Sequence, residues 1–187
     1  MGSSGIMAPM IDPAIGALLA GAFALLFASA ALHKLLGLAQ FTEVFRAYAV
    51  APAGLAPLVP LLELTVGMAL LVARSRSGAA AAGTALLFMY ALAIAINLAR
   101  GRRDLTCGCG GPNDRRPIAA WMVGRNVILA ALLGAMLLPW TKRPLGAADG
   151  LTIGAGTVVA AFLYMSLDSL LGRVVPRAQA LRTLAPP

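Results

Sequence analysis

PAIGALLAGAFALLFASAAL, residues 13–32, carries no charged side chain and runs straight into His33 and Lys34. A helix rises 1.5 Å per residue, so about 20 such residues cross the ~30 Å hydrocarbon core of a bilayer. Residues 13–32 therefore read as a transmembrane helix stopped by two basic groups at the headgroup level. Apolar runs of the same kind recur over 55–73, 78–99, 117–138 and 151–171. The whole chain is 60% hydrophobic and only 12% charged, with a mean hydropathy of +0.85, whereas a soluble domain is nearer half apolar and a quarter charged. Because the apolar residues come in long blocks, they predict spans and not a buried core. The expected fold is an all-α integral membrane protein, a bundle of about five transmembrane helices forming one domain over 13–171.

The flanks read differently. Residues 1–12 form an N-terminal tail, in which Met1-Gly2-Ser3-Ser4-Gly5 looks like a tag scar. Nothing before Pro13 has the basic n-region of a signal peptide, so the first span is expected to remain as an uncleaved anchor. Residues 172–187 are basic and proline-containing and are expected to fray. Between spans one and two, Phe41, Val44, Phe45 and Tyr48 alternate with Glu43 and Arg46 at helical spacing, which predicts a short amphipathic helix on the membrane surface with Thr42 capping its start. Pro57 and Pro60 fall near the start of span two, where a helix tolerates them. Arg74 to Ser77 form a tight turn, Pro117 is expected to open span four, and Pro139 to Gly150 read as a featureless connection.

Net charge is +8, but the Lys and Arg residues sit in the connections, where they meet phospholipid headgroups. They form no aromatic-interleaved stripe, so nucleic acid is not an expected partner; the lipid bilayer is. Alternating spans bring His33, Lys34, Asn97 and Asp168 toward one membrane face, together with the loop 104–114 that holds Cys107 and Cys109. Glu63 and Arg125 each lie eight residues into a span from that face, roughly 12 Å deep. Charges inside a bilayer are expensive and seek partners in the bundle interior, so Glu63 and Arg125 are expected to pair. Two readings stand for them, an interhelical lock or support for a functional pocket with Asn97, Asn126 and His33; for Asn126 the lock is preferred.

Cys107 and Cys109 are the only cysteines, one residue apart around Gly108 in a glycine-rich loop flanked by Arg102, Arg103, Arg115 and Arg116. A disulfide across so short a ring departs from relaxed geometry and is more oxidising. Glycines allow the ring, and the neighbouring guanidinium groups, Arg102 and Arg103 first, favour the thiolate that carries out exchange. A transferable disulfide is the expected chemistry. With two Cys and one His, a closed metal site lacks ligands, and no metal is expected unless His33 or a second subunit completes one. His33 is more simply a capping or interfacial group, although its ordinary pKa suits proton transfer.

These residues resemble the MauE family of methylamine utilisation, within the DoxX-like membrane superfamily. The likeness rests on Ala31-Leu32-His33-Lys34-Leu35, Pro60-Leu61-Leu62-Glu63-Leu64, Tyr90 to Leu98, Arg125-Asn126, and Arg100-Gly101-Arg102-Arg103-Asp104 leading into Cys107-Gly108-Cys109-Gly110-Gly111. It covers the chain from about Pro13 to Leu171. The resemblance implies a multi-pass protein of the bacterial cytoplasmic membrane that exchanges disulfides with a thioredoxin-like, MauD-like protein. Its implied client is the disulfide-rich small subunit of methylamine dehydrogenase. It carries Cys107 and Cys109 over as redox residues and Glu63, Asn97, Arg125 and Asn126 as matching polar positions. A quinone enters as a further redox partner by analogy only.

The positive-inside rule pulls the other way on sidedness. Ten of the fifteen Lys and Arg residues, among them Lys34, Arg46, Arg100, Arg102, Arg103 and Arg116, lie on the Cys side, which favours a cytoplasmic Cys loop. The family role implies an extracytoplasmic loop, and that orientation is the one expected. The rival reading, a non-catalytic assembly factor or small-solute permease with a polar pocket around Glu63 and Arg125, requires the pocket but not the cysteines.

Overall fold

The protein is described here from a computed structural model covering residues 10–108 and 116–184, the side chains of 175–184 excepted. Cys109, Arg115 and the rest of 109–115 lie outside the described residues. The described chain is helical: α1 (Pro13–Leu36), α2 (Leu38–Tyr48), a 3-10 turn (Ala53–Leu55), α3 (Leu58–Leu71), α4 (Arg76–Ala99), α5 (Ala120–Ala135) and α6 (Ala147–Leu184).

Among the described residues, four segments are long and apolar enough to cross a bilayer, namely Pro13–Leu36, Ala53–Leu71, Arg76–Ala99 and Ala147–Val174. The expected span over 117–138 is shorter than predicted, because α5 has 16 residues and extends roughly 24 Å. Its start is held back by the Cys loop. Thr106 and Pro117 form an antiparallel bridge, and the Ile118 amide donates to the Leu105 carbonyl at 2.8 Å. Residues around Pro117 are therefore extended, and Pro117 does not open the helix. At the far end Leu137 and Leu138 close turns onto Gly134 and Ala135 just before Pro139, which cannot continue the ladder.

Local chemistry explains the other boundaries. Asp12 caps α1 by accepting the Ala14 amide at 2.8 Å, and Pro13 follows at the position that lacks a helical acceptor anyway. His33 and Lys34 occupy its last turn, favourably placed toward the negative end of the helix dipole. The amphipathic helix appears as α2, with Glu43 and Arg46 paired on its exposed face and Tyr48 buried. Thr42 does not cap it. Gly37 holds the cap position, while the Thr42 hydroxyl donates back to the Leu38 carbonyl within the helix. Beyond Gly172, where fraying is expected, the backbone of α6 continues helical to Leu184.

Packing runs α5 on α4, α4 on α3, α3 on α1 and α1 on α6. The core gathers Phe23 and Phe27 of α1, Val66 and Leu70 of α3, Leu86 and Leu87 of α4 and Leu133 of α5. Gly83 lets α4 into the centre: a β-carbon there would stand 2.7 Å from Leu133 and 3.1 Å from both Phe27 and Val66. Large apolar side chains such as Met68, Leu92, Ile128 and Phe162 remain more than half exposed, a surface that only lipid or another apolar partner covers well. The last helix buries none of its apolar window and docks on α1 through Gly21 against Thr157 and Gly156 against Leu18.

On the face opposite Cys107, the connection after Pro139 is not featureless. Thr141 bonds to Ile11 at 2.9 Å, and Arg143 bridges Asp12 at 2.7 Å and Asp149 at 2.8 Å. The Arg143 guanidinium, and then the Ala14 amide, hold the Asp12 carboxyl below its ordinary value of 3.8.

Candidate functional site

The polar groups of the bundle converge on a cavity of about 200 Å³ beneath the Cys face, with contributions from α1, α3, α4, α5 and α6. His33, Glu63, Arg125, Asn126 and Cys107, all singled out from sequence, line it. The equal depth of Glu63 and Arg125 thus brings them to one chamber, but they do not bond to each other. Lys34 is the partner of Glu63: its ammonium donates to both carboxylate oxygens, at 2.7 and 2.9 Å. The Tyr90 hydroxyl donates a third bond to the same carboxylate at 2.8 Å. Lys34 and Glu63 are 5% and 1% exposed, so the pair is desolvated and depends on its internal hydrogen bonds. The Lys34 ammonium also lies 5.6 Å from the ring centres of Phe41 and Tyr90, a cation–π arrangement.

Asp168 of α6 takes Arg125. The Arg125 guanidinium bonds Asp168 Oδ1, and Arg116 bonds Oδ2 at 2.8 Å and the Asp168 carbonyl at 3.0 Å. One carboxylate thus joins α6 to α5 and to the extended segment that leaves the Cys loop. Arg125 additionally lies over the Trp121 ring at 5.4 Å. The expected Glu63–Arg125 pair is therefore replaced by two separate pairs, because the buried stripe of each helix turns Glu63 toward α1 and Arg125 toward α6.

Asn97 is fully buried, and its amide donates to the Tyr48 and Ala93 carbonyls at 3.1 and 3.0 Å. It fastens the end of α2 to α4. The Arg102 guanidinium donates to the Asn97 side-chain oxygen, Oδ1, at 3.2 Å, and Arg103 is exposed. The cations that share the cavity wall with Cys107 are Lys34, Arg116 and Arg125. Asn126 bonds to Met122 within its own helix, and its buried side chain faces the cavity.

Cys107 itself occupies a boundary. It also lines a second, smaller apolar cavity of about 80 Å³ under α2, with Phe41, Val44, Phe45, Tyr48 and Ile94. Lys34 and Tyr90 are common to both cavities. Tyr48 reaches the Cys107 carbonyl at 3.5 Å, a marginal contact. Gly108 has φ +67°, and a β-carbon on it would stand 3.0 Å from Val44. Only glycine takes this backbone conformation without penalty and passes so close to α2. Among the described residues no group of three or more His, Cys, Asp or Glu is placed to hold a metal ion.

Sequence reasoning did not assign Lys34, Tyr90 and Asp168 to the site. Lys34 carried a usable signal: Phe27, Ala31 and Lys34 share one helical stripe, and all three are buried. Asp168 carried another, as the lone acid inside its span.

Comparison with known proteins gives the family. The sequence profile described as methylamine utilisation protein MauE matches residues 12–141. The chain is 38% identical over 172 residues to methylamine utilization protein MauE of Paracoccus versutus, covering 89% of this chain and 91% of that protein. It is 35% identical over 177 residues to the protein of the same name from Methylophilus methylotrophus, again covering 89% and 91%. With the Paracoccus denitrificans protein of that name it shares 35% identity over 157 residues, 80% of this chain and 82% of the other. No solved structure matches the chain. A profile match over most of the helical bundle, together with relatives aligned over nearly their full length, places this chain in the MauE family of methylamine utilisation proteins.

Proposed function

We propose that this membrane protein is a thiol-disulfide redox protein whose Cys107 and Cys109 exchange a disulfide with a thioredoxin-like partner. Through that partner it supports disulfide formation in an extracytoplasmic enzyme such as methylamine dehydrogenase. The observation that carries this reading is the position of Cys107, in the wall of a cavity lined by Lys34, Arg116 and Arg125. Cations near a thiol favour the thiolate, and the Cys-Gly-Cys spacing favours a reactive disulfide.

Exchange balances in two steps. A partner thiolate attacks one sulfur of the Cys107–Cys109 disulfide, forming a mixed disulfide and releasing the other sulfur as a thiolate. The second partner thiolate then attacks the mixed disulfide, leaving the partner oxidised and the Cys107–Cys109 pair as a dithiol. Two electrons and two protons have moved from the partner to this chain. The Cys loop faces outward in this reading, against the charge count; two of the arginines on that face, Arg102 and Arg116, are engaged within the bundle by Asn97 and Asp168.

Single-cysteine variants test the mechanism. Cys107→Ser or Cys109→Ser, with the partner's resolving cysteine also replaced, should trap a disulfide-linked complex on a non-reducing gel. Normal enzyme maturation in cells that carry Cys107→Ser/Cys109→Ser would refute it. The polar cavity supports a second reading, a non-catalytic assembly factor or small-solute permease, in which Glu63 and Arg125 are required and both cysteines are dispensable.

A further inference from the structure

The last helix meets the segment leaving the Cys loop through Arg116, and the meeting point contains a glycine. We propose that Gly172 and Asp168 of α6 are positioning residues for the Cys107 thiol: they seat the Arg116 side chain, and the Arg116 backbone then holds Cys107 in the cavity wall. The assignment rests on the thiol-disulfide reading above and gives α6 control over how far that thiol is exposed.

The seat is built on one stripe of α6. Asp168 and Gly172 stand one helical turn apart and so share a face. Arg116 lies along that face: its guanidinium donates to the Asp168 carboxylate at 2.8 Å and to the Asp168 carbonyl at 3.0 Å. It crosses Gly172 where a β-carbon would stand 2.2 Å from Nη1, 3.0 Å from Cδ and 3.2 Å from Cζ. Any side chain at 172 would block that path. A glycine inside a helix weakens it relative to alanine, so its presence here calls for a reason. Among the described residues the positive-φ glycines are Gly101 and Gly108, so a left-handed backbone is not the reason at 172. The close passage of Arg116 is.

From Arg116 the connection to the thiol runs through backbone. The Cys107 amide donates to the Arg116 carbonyl at a long 3.4 Å, the Ile118 amide donates to the Leu105 carbonyl at 2.8 Å, and Thr106 pairs with Pro117. Arg116 therefore stands directly across from Cys107 in a short antiparallel pairing. Beyond Cys107 the chain passes under α2, where Gly108 lies against Val44. Cys107 is held between these two contacts and is only partly exposed. An isolated pairing of two short segments is marginal in water, and the anchorage of Arg116 on α6 supplies what this one lacks. Unseating Arg116 should loosen the segment and expose the thiol, while Asp168 still joins α6 to α5 through Arg125.

The test uses the full chain carrying Cys109→Ser, so that one thiol reports, in lipid nanodiscs. Alkylation of Cys107 by iodoacetamide is followed across a pH series, in which the plateau rate reads exposure and the midpoint reads ionisation. Gly172→Ala places a methyl on the path of Arg116, whose guanidinium is the free end of a flexible side chain and moves aside without forcing helices apart. The plateau rate is expected to rise by roughly threefold or more as the segment opens locally. The melting temperature should stay at or above the parent's, since alanine favours helix over glycine. Arg116→Ala should give the same rise, and adding Gly172→Ala to it should change nothing further. Gly154→Ala, on the same helix with open space around it, should leave the rate unchanged.

An unchanged plateau after Gly172→Ala would overturn the proposal. So would a rise that multiplies with that of Arg116→Ala, that Gly154→Ala reproduces, or that comes with a lower melting temperature, the sign of a general packing defect. Alkylation needs no partner protein, whereas partner trapping reads the exchange reaction itself. The seat can therefore fail with disulfide exchange intact, and exchange can fail with the seat intact.

Discussion

Replacing Lys34 by Met removes one member of a buried ion pair and leaves Glu63, 1% exposed, with the Tyr90 hydroxyl as its described hydrogen-bond partner. Two charge-assisted bonds, at 2.7 and 2.9 Å, are lost, each worth about 1.5–3 kcal/mol. The cation–π contacts with Phe41 and Tyr90 add about 0.5–2 kcal/mol. Met fills most of the volume of the Lys stem, so the change leaves little cavity. Breaking a buried pair typically costs about 3–5 kcal/mol, and Lys34→Met should fall in that range. Thermal unfolding in detergent should then drop by roughly ten degrees. The decisive variant is the double one. With Lys34→Met and Glu63→Gln together no uncompensated charge is buried, and Tyr90 keeps an amide oxygen to donate to. Stability should return to within about 1–2 kcal/mol of wild type, a recovery of about 2–3 kcal/mol relative to Lys34→Met alone. Additive losses would refute the pairing as the source of the effect.

Other perturbations probe other parts of the molecule. Gly83→Ala pushes a β-carbon against Leu133 at 2.7 Å and should cost about 1–3 kcal/mol by overpacking; Gly78→Ala, with open space around it, should be neutral or stabilising in the same melt. Asp168→Asn weakens the bonds to both Arg116 and Arg125, and in a Trp140→Phe background the fluorescence of Trp121, beneath Arg125, should shift. An unchanged spectrum would show that Asp168 does not position Arg125. Asp12, held below 3.8 by Arg143, contributes stability that is complete above its unfolded pKa, near 3.9, and is lost as pH falls through the lower folded value. Asp12→Asn should therefore flatten the acid limb of melting temperature against pH, and an unaltered limb would assign acid sensitivity elsewhere.

Much of the bundle was legible because membrane spans declare themselves by composition. Residues 13–32 read as one apolar run, and α1 begins at Pro13 as that run does, while the Asp12 cap came only with the structure. The amphipathic spacing of Phe41, Val44, Phe45 and Tyr48 specified α2. Length misled at 117–138, because hydropathy does not register that Thr106 and Pro117 pair across the loop and keep the chain extended before Ala120. Depth was readable in the site, since counting from the span ends brought Glu63 and Arg125 to one cavity. Partners were not, because depth fixes position along a helix and leaves its rotation free. The stripes Phe27-Ala31-Lys34 and Glu63-Val66-Gly67-Leu70, buried throughout, would have turned Lys34 and Glu63 toward each other. Asp168 stood out as the lone acid of its span, but its partners were not readable, because α6 gives no amphipathic stripe from which to read its rotation.

The account depends on Cys107 and Cys109 joining reversibly, and a redox titration of the purified full chain tests that most directly. The protein is equilibrated across a series of glutathione potentials, quenched in acid and labelled with a maleimide-polyethylene glycol that slows each free thiol on a gel. The account predicts a single transition in which both labels are gained together as the potential falls, with no disulfide-linked dimer. Two thiols labelled at every potential, or oxidation that appears only as intermolecular dimers, would contradict it.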